Sequence, residues 1–153
     1  MDLDSLMSPL NSVIVAVLRS PLHWLLSAGL ILITVTGRRT GRRYTIPVGC
    51  QPHDGQLIVM VSKARRKNWW RNYEASGPVE VLLKGTSRAG TAEVIPTDAD
   101  EFRRYAESTF RRMPFLRGQF EVTGNVRNGL SDDQLAQLAA NAAMVAIRLD
   151  DPS

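Results

Sequence analysis

The sequence predicts an α+β domain: a small, mostly antiparallel β-barrel with helices packed against it and a further helix at the N-terminus. Three observations carry this. Between residues 30 and 96, β-branched and alternating apolar residues form five short runs separated by turns rich in Gly, Pro and Asp. Residues 8–29 and 97–142 place apolar side chains at three- and four-residue spacing, the period of a helix packed on one side. Residues 143–149 read as one more strand, which suits closing the barrel. With 153 residues and 44% apolar content, the chain has the material for one core. It divides into an N-terminal helical segment (1–29), a barrel core (30–96), a helical segment (97–142) and a closing strand (143–150).

The chain starts Met1-Asp2-Leu3-Asp4, acidic where a secretory signal would be basic, so a cytoplasmic location is expected. Ser8-Pro9 is a suitable helix start, and Leu10, Val13, Ile14, Val17 and Leu18 trace one stripe. Pro21 breaks or restarts that helix, which runs on through Leu22, Leu25 and Leu26 to Gly29, with Trp24 covering the core. Arg19, Pro21 and His23 interrupt the apolar stretch, and no uncharged run reaches the ~20 residues a membrane span needs. A helix packed on its own core and a helix in peripheral contact with a membrane both fit this pattern.

Ile31–Thr36 reads as the first strand and Arg39–Arg42 as the turn after it. A second strand runs to Gln51; Pro47, unable to donate to a ladder, demands an edge position or a bulge there. Cys50 is read as a buried small hydrophobe on that strand. Asp54-Gly55 is a favoured two-residue hairpin turn before a third strand, Leu57–Val61. Residues 68–75 suit a short helix capped by Asn68 and ended by Ser76-Gly77-Pro78. Val79, Val81 and Leu83 mark a fourth strand, and residues 85–90 turn the chain into a fifth that ends at Ile95.

A helix then begins around Asp98–Asp100, with acidic residues in its first turn where the macrodipole favours them. Phe102, Tyr105, Ala106, Phe110 and Met113 form its buried side, Arg103 and Glu107 can pair across one turn, and Pro114 ends it. Residues 115–129 match no element. Ser131 and Gln134 form a capping-box pattern ahead of Leu135, Leu138 and Ala139. In the last strand, Val145, Ile147 and Leu149 face one way.

The charge is unevenly spread. Nine of the 19 Lys and Arg residues lie between Gly37 and Tyr73 against one acid, Asp54, so an anionic partner is indicated for this stretch. One cysteine excludes an intramolecular disulfide, and His23 and His53 stand far apart with no Cys or acidic cluster at ligand spacing, so no metal site is expected. Gly37-Arg38-Arg39-Thr40-Gly41-Arg42-Arg43 is a loop whose guanidinium groups can fork onto phosphate or carboxylate. It is not a Walker loop, and a strand follows it where a dinucleotide fingerprint needs a helix. A solvated turn with incidental charges is the plain alternative. Trp69 is expected in the core; for Trp70, a place in the core and one toward a groove both stay open. Nucleic-acid binding rests only on the clustering of Arg, Lys and Trp, and ranks last.

Thr36-Gly37-Arg38-Arg39-Thr40-Gly41 with Pro47 six residues on, Ser62-Lys63, and Trp69-Trp70-Arg71-Asn72 resemble, in order and separation, three segments of the deazaflavin-dependent nitroreductase (nitroreductase/quinone reductase) family. The likeness is densest over residues 30–83. It implies a split β-barrel of the FMN-binding-like kind that holds coenzyme F-420, an 8-hydroxy-5-deazaflavin, and passes hydride to a small quinone- or nitroaromatic-like acceptor. By matching position, Arg38, Arg39, Thr40 and Gly41 would lie against the anionic tail, with Arg42 or Arg43 as substitutes for a family arginine that is Tyr44 here. Pro47 and Val48 would lie beside the ring, and Ser62, Lys63, Trp69 and Asn72 around the rest of the coenzyme. FMN is the alternative cofactor, since one phosphate also suits the arginine loop. A non-catalytic ligand- or lipid-binding module of the same fold is the rival function.

The family's Gly-Gly-Ala-Pro after Ser-Lys is replaced by Ala64-Arg65-Arg66-Lys67, and the tyrosines that cover the substrate have no counterpart near the C-terminus. No catalytic residue is assigned; Ser62 and Tyr44 are the nearest hydrogen-bond donors. Related barrels pair, so a homodimer is also expected.

Overall fold

The structure, a computed structural model, describes residues 30–83 and 86–150. The expected N-terminal helix lies outside the described residues. Seven strands form one sheet in the order β2-β1-β5-β6-β7-β4-β3. They are β1 (Leu30–Thr36), β2 (Arg43–Gly49), β3 (Gln51–His53), β4 (Gln56–Ser62), β5 (Gly77–Leu83), β6 (Thr86–Ile95) and β7 (Ala142–Leu149). Every pairing is antiparallel. The sheet curls into a half-barrel, bringing β2 against β4 although they are not ladder partners.

The hairpin at Asp54-Gly55 forms as expected, with both residues at positive φ (52° and 76°), the backbone a two-residue turn with right-handed strand twist requires. Pro47 lies on β2, at one end of the strand order, where a missing amide is tolerated. Three expectations need correction. The second strand does not run unbroken to Gln51: it stops at Gly49, and β3 pairs with β4 instead of β1. Cys50 is buried as expected, but in the break between the two strands and not on one. Residues 86–90 are not a turn. They pair with β5 from Leu83 to Val79, because the alternation of Ser87, Ala89 and Thr91 with inward neighbours continues the ladder.

β7 separates two apolar cores. Val145 and Ile147 join Ile31, Ile33, Val35, Ile46, Val59, Val61, Val79 and Val81 on one face, and Leu149 packs against the same set. Met144 and Ala146 join Ile58 on the other, beneath α1 (Asp100–Arg112) and α2 (Asp132–Asn141). Burial on both faces explains why β7 reads as a nearly continuous apolar run. In α1, Phe102, Tyr105, Ala106 and Phe110 are buried, and Arg103 meets Glu107 at 3.8 Å. Ser131 and Gln134 close the capping box of α2 in both directions. The unassigned segment is a 3-10 turn, Pro114–Arg117, followed by a loop that puts Phe120, Val122, Val126 and Leu130 into the second core.

Candidate functional site

The three segments singled out in the sequence are joined by a chain of hydrogen bonds. The β1–β2 loop is closed internally: Gly37 N–H donates to Arg42 O (2.8 Å), Gly41 N–H to Gly37 O (2.8 Å) and Arg42 N–H to Thr40 Oγ1 (3.3 Å). Gly41 adopts φ +70°, the left-handed backbone this turn requires, with open space where a Cβ would stand. The Thr40 hydroxyl oxygen accepts the bond from Arg42 N–H and so helps to close the loop.

Asn72 ties this loop to the segment after β4. Its Oδ1 accepts from Arg38 N–H (2.8 Å), its Nδ2 donates to Trp69 O (2.8 Å), and it shares a hydrogen bond with Tyr44. Burial raises the Tyr44 phenol above its ordinary value, and the Asn72 bond partly opposes that. Asn72 sits in a 3-10 helix, Trp69–Tyr73. This is shorter than the helix expected, and Asn68, expected to cap it by its side chain, makes no such bond. Trp69 is 3% exposed and fills the first core, as expected. Trp70 is half-buried; its indole N–H reaches Ala64 O at 2.9 Å, and the Arg71 guanidinium lies 4.7 Å from its ring centroid.

Ala64 opens a second 3-10 turn, Ala64–Arg66, directly after Ser62 and Lys63. Lys63 takes φ 51°, a left-handed residue that reverses the chain at the end of β4. Ser62 is 7% exposed, and two donors meet its hydroxyl oxygen: Lys67 Nζ and Gln119 Nε2, each at 3.4 Å. Lys67 is half-buried, and desolvation together with the Lys63 charge lowers its pKa. Sequence reasoning missed both partners. Lys67 was legible only as part of a charge run, and Gln119 lies in the segment that matched no element.

The structure thus brings Arg38, Arg39, Thr40, Gly41 and Arg42 beside Asn72 and Trp69, with Ser62 and Lys63 at the far end of the same bonded path. It sorts the cations as well. Arg38 is occupied, its guanidinium donating to Arg71 O (3.3 Å) and lying 3.7 Å from Glu74. Arg43 is bound to Glu80 at 2.6 Å. Arg39, Arg42, Lys63, Arg65 and Arg66 are exposed, and their side chains have no hydrogen-bond or ion-pair partner among the described residues. Pro47 and Val48 lie on opposite faces of β2: Val48, opposite Ile31, packs on the first core, and Pro47 is opposite Leu32. Among the described residues no cluster of His, Cys, Asp and Glu could hold a metal, and no helix is long and apolar enough to cross a membrane.

The fold defines the class first. The heme storage protein HutZ from Vibrio cholerae superposes with a TM-score of 0.58 at 10% identity, over 85% of this chain and 87% of that one. An F420-H2 dependent reductase, FDR-A, superposes with a TM-score of 0.53 at 15% identity, over 78% and 94%. A domain-swapped dimer matches at 0.54 and 15%, over 92% and 100%. At these identities the likeness is one of fold, the split barrel. The family follows from the sequence itself. Residues 22–117 match the model of the F420H(2)-dependent quinone reductase family, and the chain belongs to that family. No curated protein matches the chain.

Proposed function

We propose that this protein binds coenzyme F-420 and reduces a small quinone- or nitroaromatic-like acceptor with it. The observation that carries the proposal is the bonded path from Arg38 through Asn72, Trp69, Trp70 and Ala64 to the end of β4. It holds the arginine loop and the Ser62–Lys67 segment as one surface, on which the side chains of Arg39, Arg42, Lys63, Arg65 and Arg66 have no partner among the described residues. Uncompensated cations on a braced backbone suit a tail of phosphate and carboxylates, each well-formed charged bond being worth about 1.5–3 kcal/mol. In this reading Arg39, Arg42, Lys63 and Arg65 hold the tail. Arg42 takes the place of the family arginine replaced by Tyr44, since Arg43 is engaged by Glu80. Asn72 shapes the ring's surroundings, with Val48 and Trp69 backing it from the first core and Pro47 on the opposite face of β2, while Thr40 and Gly41 set the loop and Arg38 braces it.

The coenzyme, when bound and reduced, supplies a hydride; the protein contributes binding, orientation and exclusion of water. Absorbance titration of the purified protein with oxidised F-420 and, separately, with FMN tests the reading. Micromolar or tighter binding of F-420 in preference to FMN is expected, and binding of neither overturns it. A homodimer belongs to the same proposal, since β2 and β3 end the strand order; sedimentation equilibrium measures it.

A further inference from the structure

The Ser62 hydroxyl is buried at the end of β4 and receives two hydrogen bonds, from the Lys67 ammonium and the Gln119 amide. The ammonium and the amide nitrogen can only donate, so they occupy the acceptor positions of the serine oxygen and leave its own O–H to point at something else. Among the described residues that O–H donates no hydrogen bond. Lys67 is half-buried, and no carboxylate pairs with it among the described residues. A desolvated cation without a counter-ion is costly unless a ligand supplies negative charge.

We propose that Lys67, acting through Ser62 and steadied by Gln119, is the proton donor and oxyanion holder for an acceptor whose oxygen becomes negative on reduction. The proposal rests on the reductase reading and names the acceptor's chemistry: a conjugated carbonyl or nitro compound. A quinone that receives a hydride from the reduced deazaflavin gains two electrons and one proton and becomes a hydroquinone monoanion. The second proton passes from the Ser62 O–H to that oxygen, while Ser62 takes one from the Lys67 ammonium. The products are neutral hydroquinone and a neutral Lys67 amine, which water reprotonates. A lysine made more acidic by its surroundings suits this role, and the role gives this chain an acid where it lacks the substrate-covering tyrosines of its family. Lys67 and Gln119 lie outside the three segments that mark the family in the sequence.

The test uses the coenzyme-free protein and 4-nitrophenol, whose anion absorbs in the visible and resembles a reduced acceptor. Bound to the parent, the phenol should ionise at lower pH than when free, because the ammonium stabilises the anion. Lys67→Met should abolish that shift and weaken phenolate binding at least about tenfold, the equivalent of one charged hydrogen bond. Lys67→Arg keeps the charge and should retain most of the affinity, which separates lost charge from lost folding. Nitrogen-15 NMR of the Lys67 amine should place its titration below that of ordinary lysines, with the phenolate moving it upward. With F-420 bound, turnover by the parent should fall as pH rises through that titration, since only the ammonium donates; Lys67→Met should lack this limb. Equal phenolate affinity and an unchanged phenol titration in the parent and a folded Lys67→Met would overturn the proposal. The coenzyme titration of the parent reports on the reductase reading alone, so the two failures are distinguishable.

Discussion

Two arginine-rich regions of this molecule differ in what their charges do. Around α1, Arg103 reaches Leu130 O (2.5 Å), Asp132 (3.3 Å) and Glu107 (3.8 Å), and Arg104 meets Asp54 at 3.0 Å. Arg112 donates to Gln51, and Arg117 to Gly124 O. These guanidinium groups fasten loops to a helix. Between β1 and β5, by contrast, Arg38 and Arg43 serve the fold while Arg39, Arg42, Arg65 and Arg66 have no partner among the described residues. Charge density alone therefore does not separate the cations that the fold uses from those it leaves uncompensated.

The strongest way to break that contrast is to remove unpaired cations. Arg39→Ala combined with Arg42→Ala should weaken F-420 binding by about 3 kcal/mol, from two charged contacts, while leaving the melting temperature unchanged because exposed charges stabilise little. A double variant that binds as tightly as the parent would make the loop a charged turn only. Arg38→Ala is a poorer probe, because its guanidinium also braces Arg71 O.

Asn72→Ala should cost about 1–2 kcal/mol of stability, since it leaves Arg38 N–H and Trp69 O without their partner. It should also loosen the arginine loop, seen as faster amide exchange at Arg38 and Gly41. Stability unchanged within a few tenths of a kcal/mol would mean that the two segments are not coupled through this side chain.

On the other side of the comparison, Arg103→Ala should lower stability by about 1 kcal/mol, mainly through the bond to Leu130 O, and leave coenzyme affinity untouched. Denaturant unfolding and the absorbance titration together check both halves. Smallest of all, Arg43→Ala removes an exposed ion pair with Glu80 and should change stability by less than about 1 kcal/mol, a difference that shrinks further in high salt. A sharp loss of binding in that variant would move Arg43 from the fold to the site.

One pH expectation follows from the break between β2 and β3. Burial pushes the Cys50 thiol up to about 11, so the reactive thiolate is scarce at neutral pH. Native protein should resist iodoacetamide at pH 8 and react only once unfolded. Rapid native alkylation would contradict the burial.

Local sequence determined what depends on near neighbours. The alternation of Ile31, Ile33 and Val35, the Asp54-Gly55 turn, the Ser131/Gln134 box and the apolar stripe of α1 are all rules of short range, and each formed as its residues dictate. The arginine loop, Ser62-Lys63 and Trp69–Asn72 were legible as segments for the same reason. Only the tertiary structure decided which charges are available. Arg38 and Arg39 are adjacent in the chain, yet one is held by Arg71 O and Glu74 and the other by nothing described, because the distinction lies 33 residues away. The break at Cys50 was hidden because strand propensity does not say that a run changes partners, from β1 to β4, as the sheet curls. Gln119 came from a loop with no periodicity. It reaches Ser62 across 57 residues only because Phe120 and Val122, buried beside it, anchor that loop in the second core.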